Sequence, residues 1–401
     1  MATPTSPTNP SPVGGTTTSP PSSPKPPPPA TEPDLKPPRV PKFPAHNAPR
    51  VWFLTSASSP IGISLSRHLL AHGDYIIAGL PPSDLSTPSS PFRLFLAEIA
   101  STPSKATWKP RLLPLPLDVR NMSSCQSAIA CGISSFGRID ILFSCASHSV
   151  VGAVEELSPT PLARTLVREQ FEVNFFGAVN VIKAVLPSFR AKRNGHIVVL
   201  TGITGHLGTP GLGIYCASQW AVEGYCDSLA YEVAPFNIRT TIVQPNVEVG
   251  VLTNRVVGPP PLGAYAGEVN QAPLFRDILS GLLDRLEGVG TGREGTEGTD
   301  EGSSTGAGPS TGDLLHQNRI SEVVPQLGKG LKERLVAETV YAVAAIGGHD
   351  NPPSRHIVGH EGVASVKEKL KTVSEELEDF VEVSAAVDIG REDVVMGLVP
   401  G

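Results

Sequence analysis

A tyrosine and a glutamine stand four residues apart in Tyr215-Cys-Ala-Ser-Gln219. On a helix such a pair shares one face, so a phenol and a neutral amide would meet the same neighbour. A phenol can give or take a proton, and an amide can donate and accept hydrogen bonds. A second stretch with chemical content is Thr55-Ser-Ala-Ser-Ser-Pro-Ile-Gly62. It is a tight run of small residues between an apolar run, Val51–Leu54, and a helical pattern, Ile63–His72. Strand, tight turn and helix in that order make a dinucleotide site, because the helix N-terminus offers free N–H groups to a pyrophosphate.

The elements that position these residues are legible as an alternation. His196–Leu200 is a β-branched apolar strand, Thr201–Gly213 a loop, Ile214–Val233 a helix and Ile238–Val243 a strand. Strands are also expected at Tyr75–Gly79, Arg111–Leu117 and Ile139–Phe143. Helices are expected at Pro91–Ala100, from about Ser123, across Leu162–Lys192, and at Phe275–Leu286, Leu331–Ile346 and Val363–Phe380. The alternation predicts an α/β fold with a parallel sheet, one domain over residues 50–401. Ahead of it, residues 1–49 are Pro, Ser and Thr with few large apolar side chains, and are expected to be a disordered tail. Within the tail, Pro26–Pro29 after Lys25 is a polyproline II candidate for an SH3- or WW-type domain, or simply a solvated segment. Residues 247–272 read as a Gly/Pro-rich loop, 288–312 as a flexible insertion, and 363–401 as a charged C-terminal helix and tail.

A net charge of −6 gives a nucleic-acid partner no electrostatic support. No apolar run is long enough to span a bilayer, and no secretory leader pattern opens the chain. The five cysteines form no C-x-x-C pair and read as reduced thiols, with the cytosol as the expected compartment. No metal site is read from the sequence.

The stretch from His196 to Asn246 resembles the short-chain dehydrogenases/reductases, whose mark is Tyr-x-x-x-Lys after an apolar strand and a Ser-containing loop. The phrases GLGIYCAS and LAYEVAPFNIR carry the likeness, and so does a strand ending at Pro245. Asn351-Pro-Pro-Ser-Arg-His-Ile-Val-Gly resembles the last strand of the hydroxysteroid-dehydrogenase-like branch. Acyl-dihydroxyacetone-phosphate reductases and retinol dehydrogenases resemble the chain about as well. The likeness runs from about Arg50 to Leu370 and implies a Rossmann-type doubly wound sheet. It also implies NAD or NADP as cofactor, a small-molecule substrate, and a homodimer built on the Leu162–Lys192 and Tyr215 helices.

The resemblance assigns roles residue by residue. The family's turn reads T-G-x-x-x-G-x-G; Thr55 and Gly62 match, while Ser56 and Pro60 replace two glycines. With Ser58 and Ile61, these residues form the implied phosphate site. Ser56 fits only if its φ stays negative, and Pro60 removes an N–H, so binding is expected to be weakened. Leu80-Pro81-Pro82 follows the second strand, where an acid or a base would select NAD or NADP. Asp118-Val119 sits where the family contacts adenine; as plain sequence, Asp118 could equally cap the next helix. Ser144-Cys-Ala-Ser147 replaces Asn-Asn-Ala-Gly, and only Ala146 matches. Asn174 corresponds to the family's structural and catalytic Asn, or else is a core amide bonded to backbone. Tyr215 is the implied proton carrier, or an aromatic packed under the substrate loop. Gln219 stands at the Lys position and cannot lower the Tyr pKa by charge. Gly202 stands at the Ser position, with Thr201, Thr204 and His206 as candidate replacements. Two readings follow: an oxidoreductase with weakened catalytic residues acting on a hydroxyl or ketone of a lipid- or steroid-like substrate, or an inactive scaffold of the same fold that binds a partner or senses nucleotide.

Overall fold

The computed structural model describes residues 39–157, 160–245, 249–259, 262–265, 321–323 and 329–385. The polyproline run, the Phe275–Leu286 helix and the 288–312 insertion lie outside them, as do most of the tail and parts of the 247–272 loop.

Seven parallel strands form the main sheet: β1 (Val51–Leu54), β2 (Tyr75–Leu80), β3 (Leu112–Pro116), β4 (Ile141–Ser144), β6 (Gly195–Leu200), β7 (Ile238–Pro245) and β10 (Arg355–Val358). Their order across the sheet is β10-β7-β6-β4-β1-β2-β3. The chain runs outward from β1 to β3 and returns to β4, so the order reverses between β1 and β4. Ligands of such sheets bind at that switch point, beyond the strands' C-terminal ends.

Inner strands such as β1 are continuous apolar runs because both sheet faces are covered. Trp52 and Leu54 face one core with α1 (Pro60–His72), α3 (Pro91–Ser101) and α9 (Lys329–Ile346). Phe53, one residue out of phase, faces the other with α4 (Met122–Phe136), α6 (Gly177–Lys192) and α7 (Gly213–Val233). The prolines at 114 and 116 are accommodated because β3 is an edge strand. A short helix, α2 (Pro82–Ser86), follows β2.

The Leu162–Lys192 stretch is not one regular helix. It is α5 (Pro161–Phe171), capped by Thr160, then a π-helical turn at Glu172–Phe176, then α6. Beyond α7 lies α8 (Val249–Leu252), and after β10 come α10 (His360–Asp379) and α11 (Val381–Ala385). A small second sheet, absent from the sequence reading, joins β5 (Ser149–Val150), β8 (Val256–Gly258) and β9 (Ser321–Val323). It brings the chain on both sides of the long insertion back to the segment that follows β4.

One buried histidine ties β6 to the arm before β10. His196 Nδ1 accepts from the Gly348 N–H at 2.9 Å, and Nε2 lies 3.0 Å from Thr241 Oγ1. The Thr241 hydroxyl itself donates to Pro353 O, so Nε2 carries the proton and the ring is neutral. Burial, with Arg239, His349 and Arg50 nearby, pushes its pKa from 6.5 to about 3. Between those values the unfolded chain binds a proton here and the folded chain does not. Stability therefore falls as pH falls through this window, by up to about 1.4 kcal/mol per unit. Thermal melts should show His196→Gln less stable near neutrality, with a flatter loss of Tm towards acid than the wild type. Parallel curves for the two proteins would remove His196 as the cause.

Candidate active site at the sheet's switch point

The turn after β1 is built by side chains that satisfy its own backbone. Thr55 donates its N–H to Phe143 O at 3.2 Å, and its Oγ1 accepts from the N–H groups of Cys145 at 2.9 Å and Ala146 at 3.1 Å. The sequence leaves no Asn to tie these strand ends; Thr55 ties them instead. Ser56 is not among the residues with positive φ, so it meets the condition for replacing a glycine. Pro60 is at the first helical position, where its fixed φ suits the helix. Ser59, which the sequence reading passed over in favour of the half-buried Ser58, is the N-cap. Its Oγ accepts from the Gly62 N–H at 3.0 Å and donates to Ser56 O at 2.7 Å. Gly62 must be glycine, because a Cβ there would stand 2.3 Å from Ser56 O.

The consequence for an anion is specific. Pro60 has no N–H, the Gly62 N–H is held by Ser59, and the Ile63 N–H bonds Ser59 O. Ile61 keeps the donor of the first turn that neither the cap nor the helix engages. A pyrophosphate fits this helix end, with fewer donors than an uncapped glycine turn would offer.

Asp118 does not cap α4. Asn121 does, its Oδ1 accepting from the N–H groups of Ser123 and Ser124. The Asp118 carboxylate is paired with Arg120, Nε to Oδ1 and Nη2 to Oδ2 both at 2.9 Å, and this hydrogen-bonded guanidinium lowers its pKa. Val119 next to it is buried, and its carbonyl accepts from Asn180. Leu80 is fully buried at the end of β2.

Asn174 lies on the π-helical turn and is buried. Its Oδ1 accepts from the His148 N–H at 2.7 Å; its Nδ2 donates to His148 O at 2.9 Å and Ser218 Oγ at 3.1 Å. One turn earlier, Gln170 Oε1 accepts from the Val150 N–H at 2.7 Å. The two amides clamp the segment after β4 from α5 and the π turn.

Tyr215, Gln219 and Glu223 occupy successive i, i+4 positions on one row of α7. Tyr215 is 2% and Gln219 4% exposed. A Cβ added to Gly250, on α8, would stand 3.1 Å from Tyr215 Oη. The phenol is therefore covered by the segment after β7, which Pro245 ends. The Gln219 amide makes no hydrogen bond to any described residue, which suits a group waiting for a ligand.

Glu223 was not singled out from sequence, yet it organises the floor of the site. Its Oε1 accepts from Thr201 Oγ1 at 2.9 Å and Gln244 Nε2 at 2.7 Å, and Arg355 Nε lies 3.5 Å from Oε2. A Cβ at Gly205 would lie 1.8 Å from Glu223 Oε1, so the loop can close on the carboxylate only with glycine there. The signal was present as a carboxylate eight residues after Tyr215, on the same buried row. Its partners were not local, and that is why it was missed. Thr201, a candidate for the missing Ser, has its hydroxyl proton committed to Glu223. Thr204 is buried, with its carbonyl accepting from Trp220 Nε1 at 2.7 Å. His206 Nε2 lies 3.2 Å from Gln244 Oε1. Gly202 is extended, with φ −162°, and offers no side chain.

Among the described residues one group, His46, His72 and Asp74, brings metal-ligand atoms within 4.8 Å of one another. It lies at the opposite end of the sheet, before β1 and β2. Asp74 is already held by Arg50 N, Arg50 Nη2 and Trp52 Nε1, so a cation there would meet the Arg50 guanidinium.

Comparisons with known proteins agree with this geometry. The sequence profile of the short chain dehydrogenase family matches residues 50–255. The chain is similar to oxidoreductase BOA17 of Botryotinia fuckeliana, 32% identical over 49% of this chain and 65% of that protein, a little under two thirds of its length. It is similar to a 3-ketodihydrosphingosine reductase of Bacteroides thetaiotaomicron, 34% identical over 52% of this chain and 67% of that one. It is also similar to human retinol dehydrogenase 8, 29% identical over 58% and 70%. The crystal structure of a short-chain dehydrogenase from Streptomyces avermitilis superposes with a TM-score of 0.60 at 23% identity, covering 85% of this chain and all of that one. The doubly wound sheet, the turn after β1 and the Tyr215 row of α7 thus stand in one sequence of a known kind: the chain belongs to the short-chain dehydrogenase/reductase family.

Proposed function

We propose that the chain is an NAD(P)-dependent oxidoreductase acting on a hydroxyl or ketone of a lipid-like substrate, with weakened proton-transfer residues. The observation that carries this reading is the buried pair on α7: Tyr215 under Gly250, with the Gln219 amide, unbonded to any described residue, one turn behind it. The bound nicotinamide would supply or accept the hydride. The protein's part is to hold the cofactor, exclude water and manage one proton. Tyr215 Oη gives or takes that proton at the substrate oxygen. Gln219 can hydrogen-bond a ribose hydroxyl, but as a neutral group it cannot favour the tyrosinate by charge as a lysine ammonium would. Slow turnover near neutral pH follows. A lipid-like substrate is supported by the names of two relatives, a ketosphingosine reductase and a retinol dehydrogenase.

The scaffold reading is favoured by one observation, the double loss of first-turn donors at Pro60 and Gly62. Calorimetric titration of the purified protein with NADH and NADPH decides first. Micromolar binding of either supports the oxidoreductase; binding of neither at millimolar nucleotide favours the scaffold.

Three further assignments belong to this proposal. The Lys25–Pro29 segment would serve an SH3- or WW-type partner. A homodimer would cover the exposed Phe176 and Trp220, beside and on α6 and α7. The cytosol would keep the five thiols reduced; all five are free, and Cys125, Cys145, Cys216 and Cys226 are buried. Among the described residues no helix is long and apolar enough to cross a membrane.

A further inference from the structure

We propose that Ser147 supplies the hydroxyl donor that Gly202 cannot, holding the substrate oxygen opposite Tyr215. The assignment rests on the oxidoreductase reading above. Ser147 lies just after β4, at the switch point. Its Oγ is shut off from solvent and has no hydrogen-bond partner. A buried hydroxyl without a partner is costly and calls for an explanation. Here the surroundings give one. A Cβ added to Gly250 would stand 3.7 Å from Ser147 Oγ and 3.1 Å from Tyr215 Oη. Both oxygens therefore face the bare backbone of Gly250 on the four-residue helix α8. A carbonyl group entering as α8 draws back meets the phenol on one side and the serine on the other.

The alternatives on the family's usual loop are less well placed. Gly202 has no side chain, and the Thr201 hydroxyl is spent on Glu223. The backbone of the Ser147 segment is fixed from both sides. Thr55 Oγ1 binds the N–H groups of Cys145 and Ala146, and Asn174 brackets His148. That rigidity is what a preorganised donor requires.

A bound reduced nicotinamide would supply a hydride to the carbonyl carbon, the C=O π pair moving onto oxygen. Tyr215 Oη gives that oxygen its proton and is reprotonated from solvent. The nicotinamide would leave oxidised and the carbonyl reduced to an alcohol. Ser147 donates a hydrogen bond to the oxygen as charge develops and transfers no proton.

The test uses full-length protein with NADH or NADPH, and with retinaldehyde and 3-ketodihydrosphingosine as probes. Ser147→Ala is expected to lower kcat by about 100-fold while leaving nucleotide affinity and Tm unchanged. A merely structural hydroxyl would move Tm and spare kcat. If the wild type turns over a probe and Ser147→Ala stays within about threefold of it, the Ser147 assignment falls and the oxidoreductase reading stands. The same holds if Thr204→Val, not Ser147→Ala, removes activity, or if turnover appears only after Gly202→Ser. A wild type that turns over neither probe overturns the assignment together with the oxidoreductase reading.

Discussion

Gln219→Lys is expected to raise kcat for carbonyl reduction by about 100-fold or more at neutral pH and to move the optimum towards neutrality. Position 219 is one helical turn from Tyr215 on the same buried row, where an ammonium would act on the phenol through protein, not water. A cation within about 4–6 Å stabilises a tyrosinate and can lower its pKa by one to three units. Positioned acid–base groups whose pKa approaches working pH contribute about 10² to 10⁴ in rate. Glutamine offers the same reach for a ribose hydroxyl without the charge, so the gain should appear in kcat more than in the KM for nucleotide. The exchange sacrifices no hydrogen bond, since the amide makes none to a described residue. An isolated buried ammonium is costly, however, and a Tm reduced without nucleotide and restored with it is part of the expected result. The decisive readout is the pH–rate profile of the two proteins side by side. A variant that binds nucleotide as the wild type does, with neither kcat nor the profile moved, would show that Tyr215 is not the proton carrier.

What could be read in advance divides along a physical line. Several strands were legible because an inner strand buried on both faces is largely apolar, as in Val51–Leu54 and Ile197–Leu200, whereas β7 carries the polar Thr241 and Gln244 that bond across the core. The Tyr215–Gln219 face was legible because helical spacing alone fixes it. Capping was partly legible. The turn at residues 55–62 could be recognised, yet which of two adjacent serines caps α1 depends on φ/ψ. Ser59, not Ser58, has the extended geometry, with φ −67° and ψ 156°. Asp118 and Asn121 present the same ambiguity three residues apart, and the chain resolves it by pairing Asp118 with Arg120 and leaving the cap to Asn121. Long-range polar partners were not legible. Glu223 draws on Thr201, Gln244 and Arg355, the last 132 positions away. Thr55 meets Cys145 and Ala146 across the sheet, 90 and 91 positions on. Nothing local marks Ser147 as different from its neighbours; only its burial beside Gly250 does.

The cofactor turn carries the second large effect. Pro60→Gly is expected to tighten NADH or NADPH binding by about ten- to a hundredfold, since it returns one N–H to the first turn of α1. A hydrogen bond to a charged group is worth about 1.5–3 kcal/mol, and each 1.4 kcal/mol is a factor of ten. The helix should survive the change, because its N-cap is Ser59 and not the proline. Losing the proline also frees the unfolded chain, so Tm without nucleotide should fall, consistent with a stability loss of order 1 kcal/mol. Affinity and stability thus move in opposite directions. That combination separates a restored phosphate donor from general improvement of the fold, which would raise both. Ser59→Ala makes the complementary case. It releases the Gly62 N–H to a phosphate, but leaves that N–H without its cap when no ligand is bound, at about 1 kcal/mol. If calorimetry finds Pro60→Gly no tighter than wild type, the pyrophosphate does not sit on this helix end, and hydride chemistry at Tyr215 would have to draw its cofactor affinity from Gln219 and the adenine side alone.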